Sequence, residues 1–185
     1  MTAVSALVVY ESMFGSTRDV AAAVAEGLRA TLPVRLVEVG ALLAEPGGTT
    51  VPEEITLLVV GGPTHAFGMS REKTRASAAR EVPPGSTHPE PVISRHTGIR
   101  EWLDVLRMPS HGLLVATFDT KVRRPNLPGS AARSAERLLR HRGAIPVAPP
   151  RSFDVLGMAD GLAEGELDAA RAWGRELAAV VVARG

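Results

Sequence analysis

Apolar residues along this chain follow two rhythms. Val4 with Leu7, Val8 and Val9, then Leu57 to Val60 inside Ile55 to Gly61, then Leu113 to Ala116 inside Gly112 to Phe118, are short apolar runs. Such runs predict strands covered on both faces of a parallel sheet. Val34 to Val39 carries Arg35 and Glu38, and Ala144 to Pro149 is interrupted by Pro146, Pro149 and Pro150, so these two strands belong at edges. Between the runs the spacing becomes helical. Val20, Val24 and Leu28 share a face among Ala21, Ala22, Ala23 and Ala25. Ser70 to Glu81 begins a helix, Ile99, Trp102, Leu103 and Leu106 mark another over Gly98 to Met108, and Trp102 reads as a core anchor. Pro128-Gly129-Ser130 starts a helix that runs to His141 or Arg142 and is closed by Gly143. Leu167, Ala170, Trp173, Leu177, Val180 and Val181 define the last one, over Glu164 to Arg184.

Five strands alternating with helices, with the second and fifth at the edges, predict an α/β doubly wound parallel sheet of order 2-1-3-4-5. In that topology a ligand crevice opens at the carboxyl ends of strands 1 and 3, where the winding reverses. Residues Ala41 to Pro52 give a helical turn and a Gly-Gly-Thr-Thr loop, and the chain has no internal repeats. The proline-rich run from Val82 to Pro91 cannot hold a regular element, so residues 82–97 are expected to form a mobile excursion from a single domain.

Composition narrows the chemistry. A chain of 185 residues, 45% hydrophobic and 22% charged, can bury a full core as one domain. With no cysteine, thiolate metal sites, disulfides and Cys nucleophiles are excluded. The apolar runs are too short to span a membrane, and no basic region precedes the first, so the expectation is a soluble cytoplasmic protein without membrane insertion. Net charge is only +1, yet the first third is acidic, whereas Arg71, Lys73, Arg75, Arg80, Arg95 and Arg100, and later Lys121, Arg123, Arg124, Arg133, Arg137, Arg140 and Arg142, make the middle basic. That division is either a solvated surface or a means of steering an acidic partner or anionic substrate. Nucleic acid is not expected, because no aromatic residues interleave with the arginines. The histidines lack metal spacing, so no metal is expected.

Three segments then carry candidate chemistry at the same sheet end. The first, Ser12-Met13-Phe14-Gly15-Ser16-Thr17, joins strand 1 to a helix. Helix-start amides with hydroxyls around a glycine suit a phosphate, although Ser16 or Thr17 acting only as an N-cap explains the same residues. The second is Gly62-Pro63-Thr64-His65-Ala66-Phe67-Gly68, after strand 3. The third is Thr117-Phe118-Asp119-Thr120-Lys121, after strand 4. No P-loop and no Gly-x-Gly-x-x-Gly fingerprint is present.

Together these loops resemble those of the flavodoxin family over nearly the whole chain. The first is similar to the FMN phosphate loop, in the variant with an aromatic before the glycine that also occurs in flavodiiron proteins. The second resembles the Gly-x-Pro-Thr form of quinone-reductase-like members. The resemblance implies that Ser12, Ser16 and Thr17 with the backbone of Met13, Phe14 and Gly15 hold the FMN phosphate. Pro63, Thr64, His65, Ala66, Phe67 and Gly68 would then follow the isoalloxazine edge, with Thr117, Phe118, Asp119 and Lys121 closing its other side. It further implies electron transfer, as a carrier or a small oxidoreductase, to a redox partner protein or a small acceptor such as a quinone. The sole tyrosine ends strand 1, leaving Phe14, Phe67, Phe118 or His65 to stack on the ring. Lys121, Arg123 and Arg124 beside the ring imply a higher potential than in an acidic carrier. A flavin-free interaction scaffold on the same architecture is the alternative. A response-regulator receiver lacks its acidic cluster, and a serine hydrolase lacks its Gly-x-Ser-x-Gly elbow.

Overall fold

The computed structural model describes residues 4–65, 68–80, 92–122, 128–157 and 159–184. In chain order the elements are β1 (Ser5–Tyr10), α1 (Ser16–Arg29), β2 (Val34–Glu38), α2 (Val39–Ala44), β3 (Ile55–His65), β4 (Gly68–Met69) and α3 (Glu72–Arg80). They continue as α4 (Ile99–Val105), β5 (Leu114–Val122), α5 (Ala131–His141), β6 (Ile145–Pro146), β7 (Arg151–Val155) and α6 (Glu166–Val182).

The sheet runs β2-β1-β3-β5-β6, with β7 also paired to β5. These pairings are parallel, and only the short β4 folds back antiparallel on β3. This is the doubly wound order 2-1-3-4-5 that the hydrophobic runs predict, with the fifth position shared by β6 and β7. Consecutive apolar residues serve opposite faces: Ala6 and Val8 meet α1 and α6, while Leu7 and Val9 face the cluster that contains α2, α4 and α5. Trp102 is buried and donates its indole N–H to the Gly48 carbonyl at 2.9 Å, as a core anchor does.

The fifth strand departs from expectation. Instead of filling Ala144 to Pro149, it breaks after Pro146 and resumes at Arg151. Val147 still donates to the Val115 carbonyl, but Pro149 and Pro150 have no amide for the ladder. The resumed piece, Arg151–Val155, alternates buried Phe153 and Val155 with less buried neighbours, which is why it lacks the unbroken apolar signature of the other strands.

Strands β3 and β5 are also longer than their apolar runs. Residues 62–65 and 117–121, expected in loops, continue the strands, which pair with each other from Gly61–Phe118 to Pro63–Thr120. Of the excursion expected over 82–97, residues 82–91 lie outside the described residues. Its end, 92–97, runs against the first loop.

Candidate functional site

At the carboxyl ends of the central strands the structure holds a cavity of about 430 Å3, a size typical of small-molecule and cofactor sites. One wall is the first loop, through Met13, Phe14, Ser16 and Thr17. A second is the end of β3, through Pro63, Thr64 and His65. Helix α3 contributes Lys73, Thr74, Ser77 and Ala78, and the ends of β5 and β7 supply Thr120, Lys121, Val122 and Val155.

The first loop is shaped by hydrogen bonds to side chains. Buried Ser12 turns its hydroxyl inward to accept from the amides of Gly15 and Arg18, both at 3.2 Å. Its own amide donates to Ser94 Oγ at 3.0 Å, and the Ser94 amide donates back to the Ser12 carbonyl at 2.8 Å. Ser94 Oγ in turn donates to Glu38 Oε1 at 2.6 Å, so the loop is braced by the end of β2 and by the chain entering α4. Gly15 has φ 99°, a left-handed conformation that an L side chain resists, and it starts the helix. The Arg18 amide is taken by Ser12 and that of Asp19 by the Gly15 carbonyl. Among the described residues this leaves the first-turn amides of Ser16 and Thr17 as the free donors of the helix start, with the positive end of the dipole behind them. Thr17 Oγ1 and Thr120 Oγ1 are 2.7 Å apart and join the loop to β5.

Sequence reasoning missed the polar cluster behind this loop. Glu11, 1% exposed, accepts the Ile99 amide on Oε2 at 2.9 Å, and its Oε1 has no partner among the described residues. Arg75, equally buried, donates from Nη1 to Ser70 Oγ at 2.7 Å and from Nη2 to the His96 carbonyl at 3.1 Å. The same Nη1 lies 3.1 Å from Glu101 Oε2. Burial pushes the Glu11 carboxyl above the usual carboxylate range, partly offset by Ser70, the Ile99 amide and the Arg75 charge. This cluster bolts α3, a cavity wall, to the end of β1. An arginine on a helix of low apolar content reads from sequence as solvated, and no spacing in the chain links Arg75 to Glu11.

The expected third loop needs correcting. Phe118 is fully buried and packs edge-on against Phe153 and Trp173, at 6.0 and 6.3 Å between ring centroids, so it belongs to the core and not to a cavity wall. Thr117 is likewise buried away from the cavity. Asp119 Oδ2 accepts from Thr64 Oγ1 at 2.9 Å, Ser130 Oγ at 2.6 Å and the Ala132 amide at 3.1 Å. It therefore ties β3 to the start of α5 and makes no direct contact with the cavity. The physical reason is position along the strand: with 117–122 continuing β5, the cavity opens at Thr120 to Val122, and residues 117–119 lie deeper in the sheet.

Of the remaining expected residues, Met13, Phe14, Ser16, Thr17, Pro63, Thr64, His65 and Lys121 line the cavity, while Ser12 and Gly15 shape the loop beneath it. Gly68 pairs with His65 in the β3–β4 hairpin. Ala66 and Phe67 lie outside the described residues. Burial, with the Arg75 charge, holds the His65 pKa below its ordinary value, so its ring is neutral at pH 7. The α3 residues were legible in principle, since 73, 74, 77 and 78 repeat at helical spacing and form one stripe.

No family model matches the sequence, and no curated protein sequence does either. Solved structures do. A flavodoxin from the domain Archaea superposes with a TM-score of 0.58 at 17% identity, covering 96% of this chain and 99% of that one. The fold is that of flavodoxins. A metal-soaked flavodiiron core from Synechocystis matches all of this chain and 37% of its own, with a TM-score of 0.65 and 16% identity. A flavodoxin, WrbA-like protein from Agrobacterium tumefaciens gives 0.57 at 18% identity, over 98% of this chain and 99% of that one. Flavodoxin-like topology thus covers the whole chain. No helix among the described residues is long and apolar enough to cross a membrane.

Proposed function

We propose that this protein binds FMN in the cavity at the sheet switch point and transfers electrons, as a carrier or a small oxidoreductase in the cytoplasm. The observation that carries this reading is the pair of free first-turn amides at Ser16 and Thr17, placed at one end of a cavity also lined by Met13, Phe14, Val122 and Val155. Helix-start donors suit a phosphate, and apolar walls suit a flat ring. FMN bound there would supply the redox chemistry, while the protein contributes burial, orientation and electrostatics.

The chain's own residues divide that work. Ser16 and Thr17 hold the phosphate through amides and hydroxyls, with Ser12 keeping those amides pointed outward. Phe14 and the two valines exclude water from the ring. Thr64, fixed by Asp119 and by the Ala131 amide at 2.9 Å, presents the end of β3 to the ring edge. Lys121, half-buried, puts positive charge beside it and favours the reduced, more anionic cofactor, raising the potential.

The visible absorption spectrum of the purified protein, taken before and after adding FMN and removing the excess, tests this. Flavin bands that persist in the wild type and weaken in the Ser16→Ala, Thr17→Ala double variant, which keeps the amides and loses the hydroxyls, are the expected result. A protein that stays colourless after incubation with FMN overturns electron transfer and leaves an interaction scaffold.

A further inference from the structure

Of the 21 basic residues in the chain only Lys73 and Lys121 are lysines, and both line the one cavity. They reach it from different walls, Lys73 from α3 and Lys121 from the end of β5. No carboxylate lines that cavity among the described residues, and none there makes an ion pair with either ammonium. Asp154, in register with Lys121 on β7, is not among the lining residues. Some arginines elsewhere are paired: Arg35 with Glu45, Arg75 with Glu101, and Arg171 with both Glu26 and Asp168.

Position along α3 separates Lys73 from the phosphate loop. Ala78 packs on Met13 in a small apolar cluster that Phe14 also joins, so this end of the helix lies over the first loop. Lys73 lies more than one turn earlier, on the part of α3 that follows the β3–β4 hairpin carrying His65. The phosphate, meanwhile, has the Ser16 and Thr17 amides. Two long, flexible ammonium groups are therefore left facing space in which a second ligand meets the ring.

We propose that Lys73 and Lys121 make the site selective for anionic redox substrates, a planar acceptor bearing a carboxylate or sulfonate binding in preference to its neutral counterpart. This rests on the FMN reading above. Lys73 is exposed and Lys121 half-buried, so their ammonium groups act at modest strength and are screened by salt; the preference is about tenfold at low ionic strength and shrinks as salt is added.

The test uses the full chain loaded with FMN and keeps both partners oxidised. Dissociation constants for naphthoquinone sulfonate and unsubstituted naphthoquinone are read from the perturbation of the flavin spectrum, in the wild type and in Lys73→Gln, Lys121→Gln and the double variant. The sulfonate should bind about tenfold tighter than the neutral quinone in the wild type and equally in the double variant, with Lys→Arg substitutions retaining the preference. Affinities for FMN and riboflavin are measured on the same proteins. Equal binding of the two quinones by the wild type overturns the proposal while leaving the FMN reading intact. A loss confined to FMN affinity, with riboflavin and the quinones unaffected, also overturns it, because the lysines then serve the cofactor's phosphate. A protein that retains no flavin overturns both, and the flavin bands reveal that before any quinone is added.

Discussion

The two ends of the cavity are built in opposite ways. At the first loop every turn is tied: Ser12 to Gly15 and Arg18, Ser94 to Ser12 and Glu38, Thr17 to Thr120, with Glu11 and Arg75 buried behind. On the α3 and β5 side, Lys73 and Lys121 line the same space with no ion pair among the described residues. A rigid, donor-rich end suits a group that stays bound. A loosely held charged end suits one that comes and goes, because the ordering entropy of long side chains is spent only while the ligand is present.

The largest effect should come from breaking the brace. Replacing Arg75 with Met leaves the Ser70 hydroxyl and the His96 carbonyl without their donor and Glu11 without its nearby positive charge, and each hydrogen bond from a charged group is worth about 1.5–3 kcal/mol. Urea unfolding should show that loss, with the midpoint lowered and the slope unchanged. Gly98→Ala should be next. Its Cβ would stand 2.4 Å from Arg75 Nη1, 2.6 Å from Glu11 Oε2 and 2.8 Å from Ser70 Oγ, and overpacking of this kind costs about 1–3 kcal/mol. A melting temperature within a degree of the wild type would show that the cluster is looser than described.

A smaller, pH-dependent effect isolates Glu11. Its folded carboxyl titrates above the unfolded value of 4.5, so between those two values the folded state holds more protons than the unfolded state, and stability falls as pH rises through that window. Glu11→Gln cannot titrate. The difference in stability, variant minus wild type, should therefore grow as pH is raised from about 4.5 and level off once the folded carboxyl has ionised, as followed by urea unfolding across pH 4 to 8. A difference that shrinks with rising pH would reverse the sign and mean that the Arg75 charge outweighs burial. The smallest stability change belongs to the lysine side: Lys73→Gln should shift stability by less than about 0.5 kcal/mol, since it removes an exposed charge with no ion pair among the described residues.

The same contrast separates what could be read in the chain from what could not. Strands β1, β3 and the first part of β5 announce themselves because both faces are covered, so the strand order and the switch point were legible from apolar runs alone. The first loop is legible as a strand–helix junction, because hydroxyls around a glycine mark a helix start whether they cap it or bind a phosphate. Its bracing was not. Ser94 and Arg75 act across long sequence separations, and nothing local distinguishes a buried arginine from the solvated ones around it. Phe118 stands at the end of an apolar run, which does not mark the end of the strand: pairing with β3 and β7 carries β5 on to Val122. Once the strand continues, alternation turns Phe118 into the aromatic core with Phe153 and Trp173.

The central claim is that the tied end of the cavity holds a phosphate. Fluorescence quenching of FMN and of riboflavin on the same preparation tests it most directly, because the two ligands share the ring and differ by that one group. FMN should bind at least about tenfold more tightly, a difference of about 1.4 kcal/mol, and the Ser16→Ala, Thr17→Ala variant, which loses the hydroxyls and keeps the amides, should narrow the gap. Equal affinity for the two flavins in the wild type would contradict the account.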